Sequence, residues 1–428
     1  MGDRFDVDVV VVGAGLAGLV AAAAAARDGA SVVCCDVRVA GGRARSDRRE
    51  GFVLNQGPHA LYRGGAGADV LGRLGVGFSG SPPYPAASGY CEATGGLAPL
   101  PTSAGSLIRS AVLGVGDKVR FARLLATLPK REVASLGALS AAEWIAPLRL
   151  GSGGAGVISA LIRVATYAGD LDLVAADAAV AQLQLALEGV VYLDGGWQSL
   201  VDGLVAAARS GGVWVIEGER ATALQAGADG AWEVRTPAGT LRAASVVVAA
   251  GSPAAARGLL PHAPPWQLGA PATAACLDLG LRRVPATRVA FGLDQPLYLS
   301  THSPTARLAP PGGAVVHVMR YGARTSPEDK AQLWALSRRC GIDQRDVVVE
   351  RFLHDMTVCH ALPRPGSGLA GRPPIEATAT PGVFLAGDWV GATGLLADAA
   401  MASGEAAGRA AAVHAMRRRG ASGAMVGR

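Results

Sequence analysis

The stretch Val7-Asp8-Val9-Val10-Val11-Val12-Gly13-Ala14-Gly15-Leu16-Ala17-Gly18 decides how the rest of the chain is read. Its valine run suits a strand buried on both faces of a parallel sheet. Three glycines follow at the spacing G-x-G-x-x-G, and a strong helix-forming stretch runs from Leu16 to Arg27, ended by Asp28-Gly29. Ser31 to Cys35 supplies a second strand, with Asp36 at its end. Each glycine has its own physical task. Gly13 lets the chain turn sharply, Gly15 lets the backbone approach a diphosphate, and Gly18 lets helix and strand pack closely. The anion is expected on the helix N-terminus, beside Ala14, Leu16 and Ala17, where unpaired N–H groups and the helix dipole favour negative charge. Asp36, followed by Val37 and Arg38, is placed to meet the hydroxyls of an adenosine ribose.

That turn serves NAD and FAD alike, so a second signal is needed. Gly41-Gly42-Arg43-Ala44-Arg45-Ser46 is a further glycine turn, just past the ribose-binding strand, and it carries arginine. It can wrap around a diphosphate already held by the first turn. This segment resembles the G-G-R-x-x-S/T motif of the flavoprotein superfamily that contains amine oxidases, protoporphyrinogen oxidases and phytoene desaturases. The resemblance continues at Gly57-Pro58-His59-Ala60-Leu61, at Gly195-Gly196-Trp197-Gln198-Ser199-Leu200, and at Val246-Val247-Val248-Ala249-Ala250-Gly251. It ends at Val383-Phe384-Leu385-Ala386-Gly387-Asp388-Trp389 and Asp398-Ala399-Ala400-Met401-Ala402-Ser403-Gly404. In overall character the chain is closest to bacterial phytoene-desaturase-like members.

The resemblance implies FAD, bound without a covalent link. It implies that Gly57, Pro58 and His59 reach the flavin ring, that Ala250 and Gly251 lie beside the diphosphate, and that Gly387 and Asp388 meet the ribityl or diphosphate region. Leu395, Leu396, Ala397 and Ala399 are expected at the pyrimidine edge, where the last helix points its N-terminus. There it would stabilise the negative charge of reduced flavin.

The fold expected is α/β, a discontinuous Rossmann-type FAD-binding domain with an inserted α+β substrate domain of mixed sheet plus helices. The strand–helix alternation of residues 1–78 returns at 190–263 and again at 373–420, which together make the cofactor domain. Residues 79–189 and 264–372 make the substrate domain; the first opens with a Pro-, Gly- and Ser-rich stretch to about Leu100 and continues as helices. Residues 421–428 read as a disordered tail.

Two departures narrow the chemistry. Amine oxidases of the superfamily commonly flank the substrate with an aromatic pair, and the alignment puts Leu396 where one tyrosine would stand. The three lysines, Lys118, Lys130 and Lys330, match no motif for a lysine that holds water near the flavin. The expected reaction is therefore hydride removal from a C–C or C–N bond of a largely apolar small molecule. An amine or amino-acid oxidase is the alternative, and a flavin-free lipid escort like the Rab GDP dissociation inhibitors is a third. His59 is the leading candidate for a catalytic polar residue, ahead of Tyr62, Tyr298, His317, His354 and His360. Cys359-His360 is the nearest pair for a covalent flavin link, though Cys359 reads better as a core residue.

The bulk composition agrees with an enzyme that has a deep interior. The chain has 428 residues, half of them apolar and 17% charged, enough for two intimately packed domains. The net charge of +6 is carried by arginine clusters without interleaved aromatics, which excludes a legible nucleic-acid module and leaves at most peripheral membrane association. Six cysteines without C-x-x-C spacing suggest reduced thiols, a cytoplasmic location and no metal site. The electron acceptor, whether oxygen, a quinone or a carrier, and the oligomeric state are not written in the sequence.

Overall fold

The computed structural model describes residues 5–92, 94–101, 104–322 and 326–426. Phe5–Val12 forms the strand expected of the opening valines, and it lies between two parallel neighbours, Val32–Asp36 and Gly239–Val248. The full sheet has seven strands. Trp214–Glu217 continues it beyond Val32–Asp36, also in parallel. On the far edge of Gly239–Val248, an antiparallel meander of Trp232–Thr236 and Ala223–Ala226 covers the first half. Val383–Leu385, from the other end of the chain, pairs in parallel with Val246 to Val248.

Three helices cover one face of this sheet: Leu16–Arg27, Gln198–Ser210 and Leu396–Val426. The first is almost wholly alanine and leucine, so the last can approach it closely. A Cβ at Gly404 or Gly408 would overlap the carbonyl of Ala17 or Ala21. Leu19, Leu200 and Leu204 are fully buried between these layers, each contributing roughly 1.5–3 kcal/mol of apolar burial. Cys34 and Cys35 alternate across the sheet, one into each flanking core, and all six cysteines are free thiols.

A second, mixed sheet of seven strands stands beside the first, in the order Val347–Cys359, Ala272–Leu281, Ala314–Tyr321, Leu297–Thr301, Val289–Gly292, Ser88–Cys91 and Gly96–Pro99. Helix Pro327–Arg339 packs on one face of it through Leu333, Trp334 and Leu336. The helices Ala104–Arg109, Val115–Thr127, Ala141–Ile145, Ser152–Thr166 and Ala176–Glu188 share a separate core.

The Pro-, Gly- and Ser-rich stretch before Leu100 carries a hairpin, Ser88–Cys91 with Gly96–Pro99, which pairs with Val289–Gly292 and so joins the second sheet. One expectation is corrected: the last helix continues to Val426, so residues 421–426 are helical backbone, and 427–428 lie outside the described residues. No helix among the described residues is long and apolar enough to cross a membrane.

Candidate active site

The two sheets and the helical layer enclose one cavity of about 1490 Å³. A pocket for one drug-sized ligand runs roughly 300–1,000 Å³, so this volume can hold a dinucleotide and a substrate together. Its floor is the opening turn. Gly13 adopts φ +106°, and a Cβ there would overlap the carbonyl of Ala249. Gly15 caps helix Leu16–Arg27 with no side-chain hydrogen bond and no acid in the first turn, so its N–H groups are left for an anion. A Cβ at Gly15 meets nothing within 4 Å, so the backbone here opens directly onto the cavity.

The second glycine turn lies directly on the first. Gly41 N–H donates to the Ala14 carbonyl at 2.7 Å, and a Cβ at Gly42 would come 3.5 Å from Gly15 Cα. Asp36 locks both segments, accepting from Ala14 N–H at 2.7 Å and Arg38 N–H at 2.8 Å. This double turn fits the diphosphate of a flavin dinucleotide.

Arg43 crosses to the C-terminal motif. Its guanidinium donates to the Asp388 carboxylate at 2.9 Å and to the Val358 carbonyl at 2.6 Å. Asp388 also accepts from His360 N–H at 3.1 Å and contacts its ring nitrogen Nδ1 at 3.0 Å. Burial alone would raise this carboxyl, but Arg43 and His360 hold it well below the usual carboxylate range.

Past this point the cavity becomes aromatic. Of the seven tyrosines, Tyr62, Tyr84, Tyr167, Tyr192 and Tyr298 line it. They come from five separate stretches of chain, and with Phe291 they form the wall opposite the glycine cradle. Tyr298 lies 5.2 Å from Phe291, centroid to centroid, and Tyr167 lies 5.9 Å from Tyr321. Burial pushes the Tyr62 phenol up to about 12 and raises the Tyr167 and Tyr298 phenols as well, so all remain neutral. Tyr167 donates to the Pro58 carbonyl at 2.6 Å.

His59 sits between cradle and aromatic wall, its ring 5.0 Å from Trp197. Its Nδ1 is 3.1 Å from the Gly57 carbonyl. A carbonyl only accepts, so Nδ1 carries the proton and Nε2 is left as an acceptor. Desolvation lowers the ring to about 4, which keeps it neutral at physiological pH.

Behind the wall lies a polar cluster. Asp278 is fully buried and takes Nδ1 of His317 at 2.5 Å on one oxygen and the Arg351 guanidinium at 2.6 Å on the other. These are cross-strand partners, since Asp278 stands opposite both His317 and Arg351 in the mixed sheet. Cys276 joins the carboxylate at 3.1 Å. Arg351 already neutralises Asp278, so the cluster reads as a charge-paired strut rather than a cation site.

Most of the expected cofactor residues line the cavity, including Gly13, Leu16, Ala17, Asp36, Val37, Arg38, Pro58, Ala250, Gly251, Gly387, Leu395 and Ala397. Ala14, Gly18, Gly57 and Ala399 are not among the lining residues. Gly18 is spent on the close helix–strand approach, where a Cβ would overlap the Gly13 carbonyl, and Gly57 lies against Met356. Ala14 faces the core, and Ala399 is turned into the last helix. Leu396 does line the cavity, with φ +54°. Of the secondary candidates, Tyr62, Tyr298, His354 and His360 line it, whereas His317 lies behind the wall and Cys359 is a buried core thiol pushed up to about 12.

Five contributors are not among the residues expected from the sequence: Tyr84, Tyr167, Tyr192, Phe291 and Asp398. Asp398 accepts from Gly67 N–H at 2.8 Å, its other oxygen has no partner, and burial raises it to about 6. Its place in the A-rich motif Asp398 to Gly404 was the available signal.

A family profile described as flavin-containing amine oxidoreductase matches residues 16–412. The chain belongs to that family. It is therefore a flavoprotein of the oxidoreductase class, and its mixed α/β architecture is the family's. Among solved structures, an oxidoreductase from Methanosarcina mazei is 18% identical with TM-score 0.74, covering 93% of this chain and 99% of its own. Cyclohexylamine oxidase from Brevibacterium oxydans is 18% identical with TM-score 0.70, covering 97% and 100%. A Rab GDI from Plasmodium falciparum is 11% identical with TM-score 0.61, covering 92% and 95%. No curated protein sequence matches significantly. At these identities the solved structures speak for the fold alone.

Proposed function

We propose that this flavoprotein uses non-covalently bound FAD to remove a hydride from a C–C or C–N bond of a largely apolar small molecule. The observation that carries the reading is the continuity of one cavity from the cradle at Gly15 and Gly42 to the tyrosine-walled lobe, with His59 at the junction. When bound, FAD supplies a two-electron acceptor for the hydride. The chain's residues do the rest. The double glycine turn and the Arg43–Asp388 pair fix the position of the cofactor. The tyrosine wall excludes water and presents aromatic faces and neutral hydroxyls, which suits an apolar or conjugated substrate. His59 Nε2, left as an acceptor by the contact of Nδ1 with the Gly57 carbonyl, would accept a hydrogen bond from the substrate and orient it, and would carry a departing proton only in transit, since a ring of such low pKa is a weak base.

A second reading, oxidation of an amine, is favoured by the same aromatic faces, which attract an ammonium group. Reoxidation would fall to oxygen, a quinone or a carrier. Anaerobic mixing of the FAD-loaded protein with an isoprenoid panel and an amine panel tests the choice. Flavin bleaching by an isoprenoid is the expected result. Bleaching by amines alone, with hydrogen peroxide released in air, establishes the second reading instead. A colourless protein that takes up no added FAD would sink both and leave the lipid-escort reading.

A further inference from the structure

The three most exposed large apolar side chains among the described residues lie within twelve positions of one another: Ile108 at 72%, Val115 at 83% and Val119 at 69%. They sit on helices Ala104–Arg109 and Val115–Thr127. The second helix already has its inward stripe, Phe121 and Leu124, buried with Leu128 in the helical core. Its outward stripe, Val115, Val119, Ala122 and Ala126, repeats at i, i+4, i+7 and i+11, and is exposed and apolar. A helix on a protein surface ordinarily turns a polar face to water.

Cations are dense in the same stretch of chain. Arg109, Lys118, Arg120, Arg123, Lys130 and Arg131 fall in this short stretch, against the acids Asp117 and Glu132. Asp117 is buried, accepting from Gly151 N–H at 3.0 Å and pairing with Arg120 at 3.5 Å, so Arg120 stays half exposed with one side on that acid. Lys118 donates to the Ile108 carbonyl at 2.6 Å, which ties the two helices together and keeps their apolar tips on one side.

We infer that this face docks on an anionic lipid surface, with Ile108, Val115 and Val119 in the headgroup layer and the arginines and lysines around them on lipid phosphates. A second copy of the chain would bring like charges together, and a nucleic-acid backbone offers nothing to the apolar tips. The placement has a use. Helix Val115–Thr127 shares the helical core with Ser152–Thr166, which itself lines the cavity with Leu161, Val164 and Ala165. The docked face is thus one helix layer from the aromatic lobe.

The test is cosedimentation of the flavin-loaded protein with phosphatidylcholine vesicles, with and without phosphatidylglycerol. Binding only to the anionic vesicles is expected, weakened about fivefold for each cation removed in Arg120→Gln and Arg123→Gln. The triple change Ile108→Ser, Val115→Ser, Val119→Ser is expected to lower binding more than tenfold with flavin content and melting temperature unchanged. Background binding of the wild type to anionic vesicles overturns the inference, as does unaltered binding of the triple variant. So does a dimer on gel filtration that the serine changes dissolve while vesicles are ignored. Flavin content is read separately, so failure here leaves the redox proposal standing.

Discussion

Arg43 and Asp388 lie 345 residues apart in the chain, yet guanidinium and carboxylate meet at 2.9 Å. The pair joins the second glycine turn to the strand end that follows Val383–Leu385, closing the cofactor cleft from both ends of the sequence. Asp388→Ala removes the acceptor of three donors, so the folded protein is expected to lose about 2–3 kcal/mol. Flavin content should fall severalfold, read as the visible absorbance per mole of purified protein.

Gly15→Val separates space from backbone. Gly15 has an extended conformation that any residue adopts, and a side chain there meets nothing of the protein. The apoprotein is expected to change by less than about 1 kcal/mol, while flavin uptake is strongly reduced. Gly18→Ala should do the opposite first, destabilising by about 1–3 kcal/mol because its Cβ overlaps the Gly13 carbonyl. Thermal melts of the apoproteins together with FAD titration check both; equal FAD affinity of Gly15→Val and wild type would remove the turn from the site.

His59→Ala is expected to keep its FAD and to slow substrate-driven flavin reduction by roughly 10–100-fold. The wild-type ring is neutral until the pH falls to about 4. Its cation is disfavoured by burial, so reduction rates should show no inflection from this residue near 6.5. Stopped-flow rates across that range decide it, and an inflection near 6.5 that disappears in the variant would contradict the buried, neutral assignment.

Asp398 predicts a pH-dependent gain. Its folded pKa of about 6 lies above the model-peptide 3.8, so the folded state prefers the neutral acid and is penalised once the carboxylate is ionised. The penalty is fully present above pH 6 and fades as the pH drops toward 4. Asp398→Asn is therefore expected to stabilise the protein by roughly 1–3 kcal/mol at pH 8, with the advantage shrinking steadily below pH 6. Melting curves at several pH values test this, and a gain independent of pH would show that the carboxyl is not the cause.

The cofactor half was legible because its signals are local. A strand, a three-glycine turn and a helix declare themselves within twenty residues, and Gly41 to Arg43 repeats the device a few positions on. The aromatic lobe was not, because Tyr62, Tyr167, Tyr192 and Tyr298 share no spacing and meet only when strands and helices from distant segments close around them. Leu396 lines the cavity where the resemblance would put a tyrosine, and other tyrosines furnish the wall by different routes. Asp278, His317 and Arg351 were invisible as a group for a similar reason. Cross-strand register, not sequence distance, puts them opposite one another.

The place of Val383–Leu385 in the first sheet also constrains the order of events during synthesis. It pairs with Gly239–Val248, next to the opening strand, and the helix after it seats Gly404 and Gly408 against Ala17 and Ala21. A nascent chain can therefore make its phosphate turn early but cannot finish the nucleotide fold until nearly all of it has been translated. Until then the alanine helix has one flank bare. A transcript truncated shortly before residue 404 should yield not a weak flavoprotein but an aggregating one.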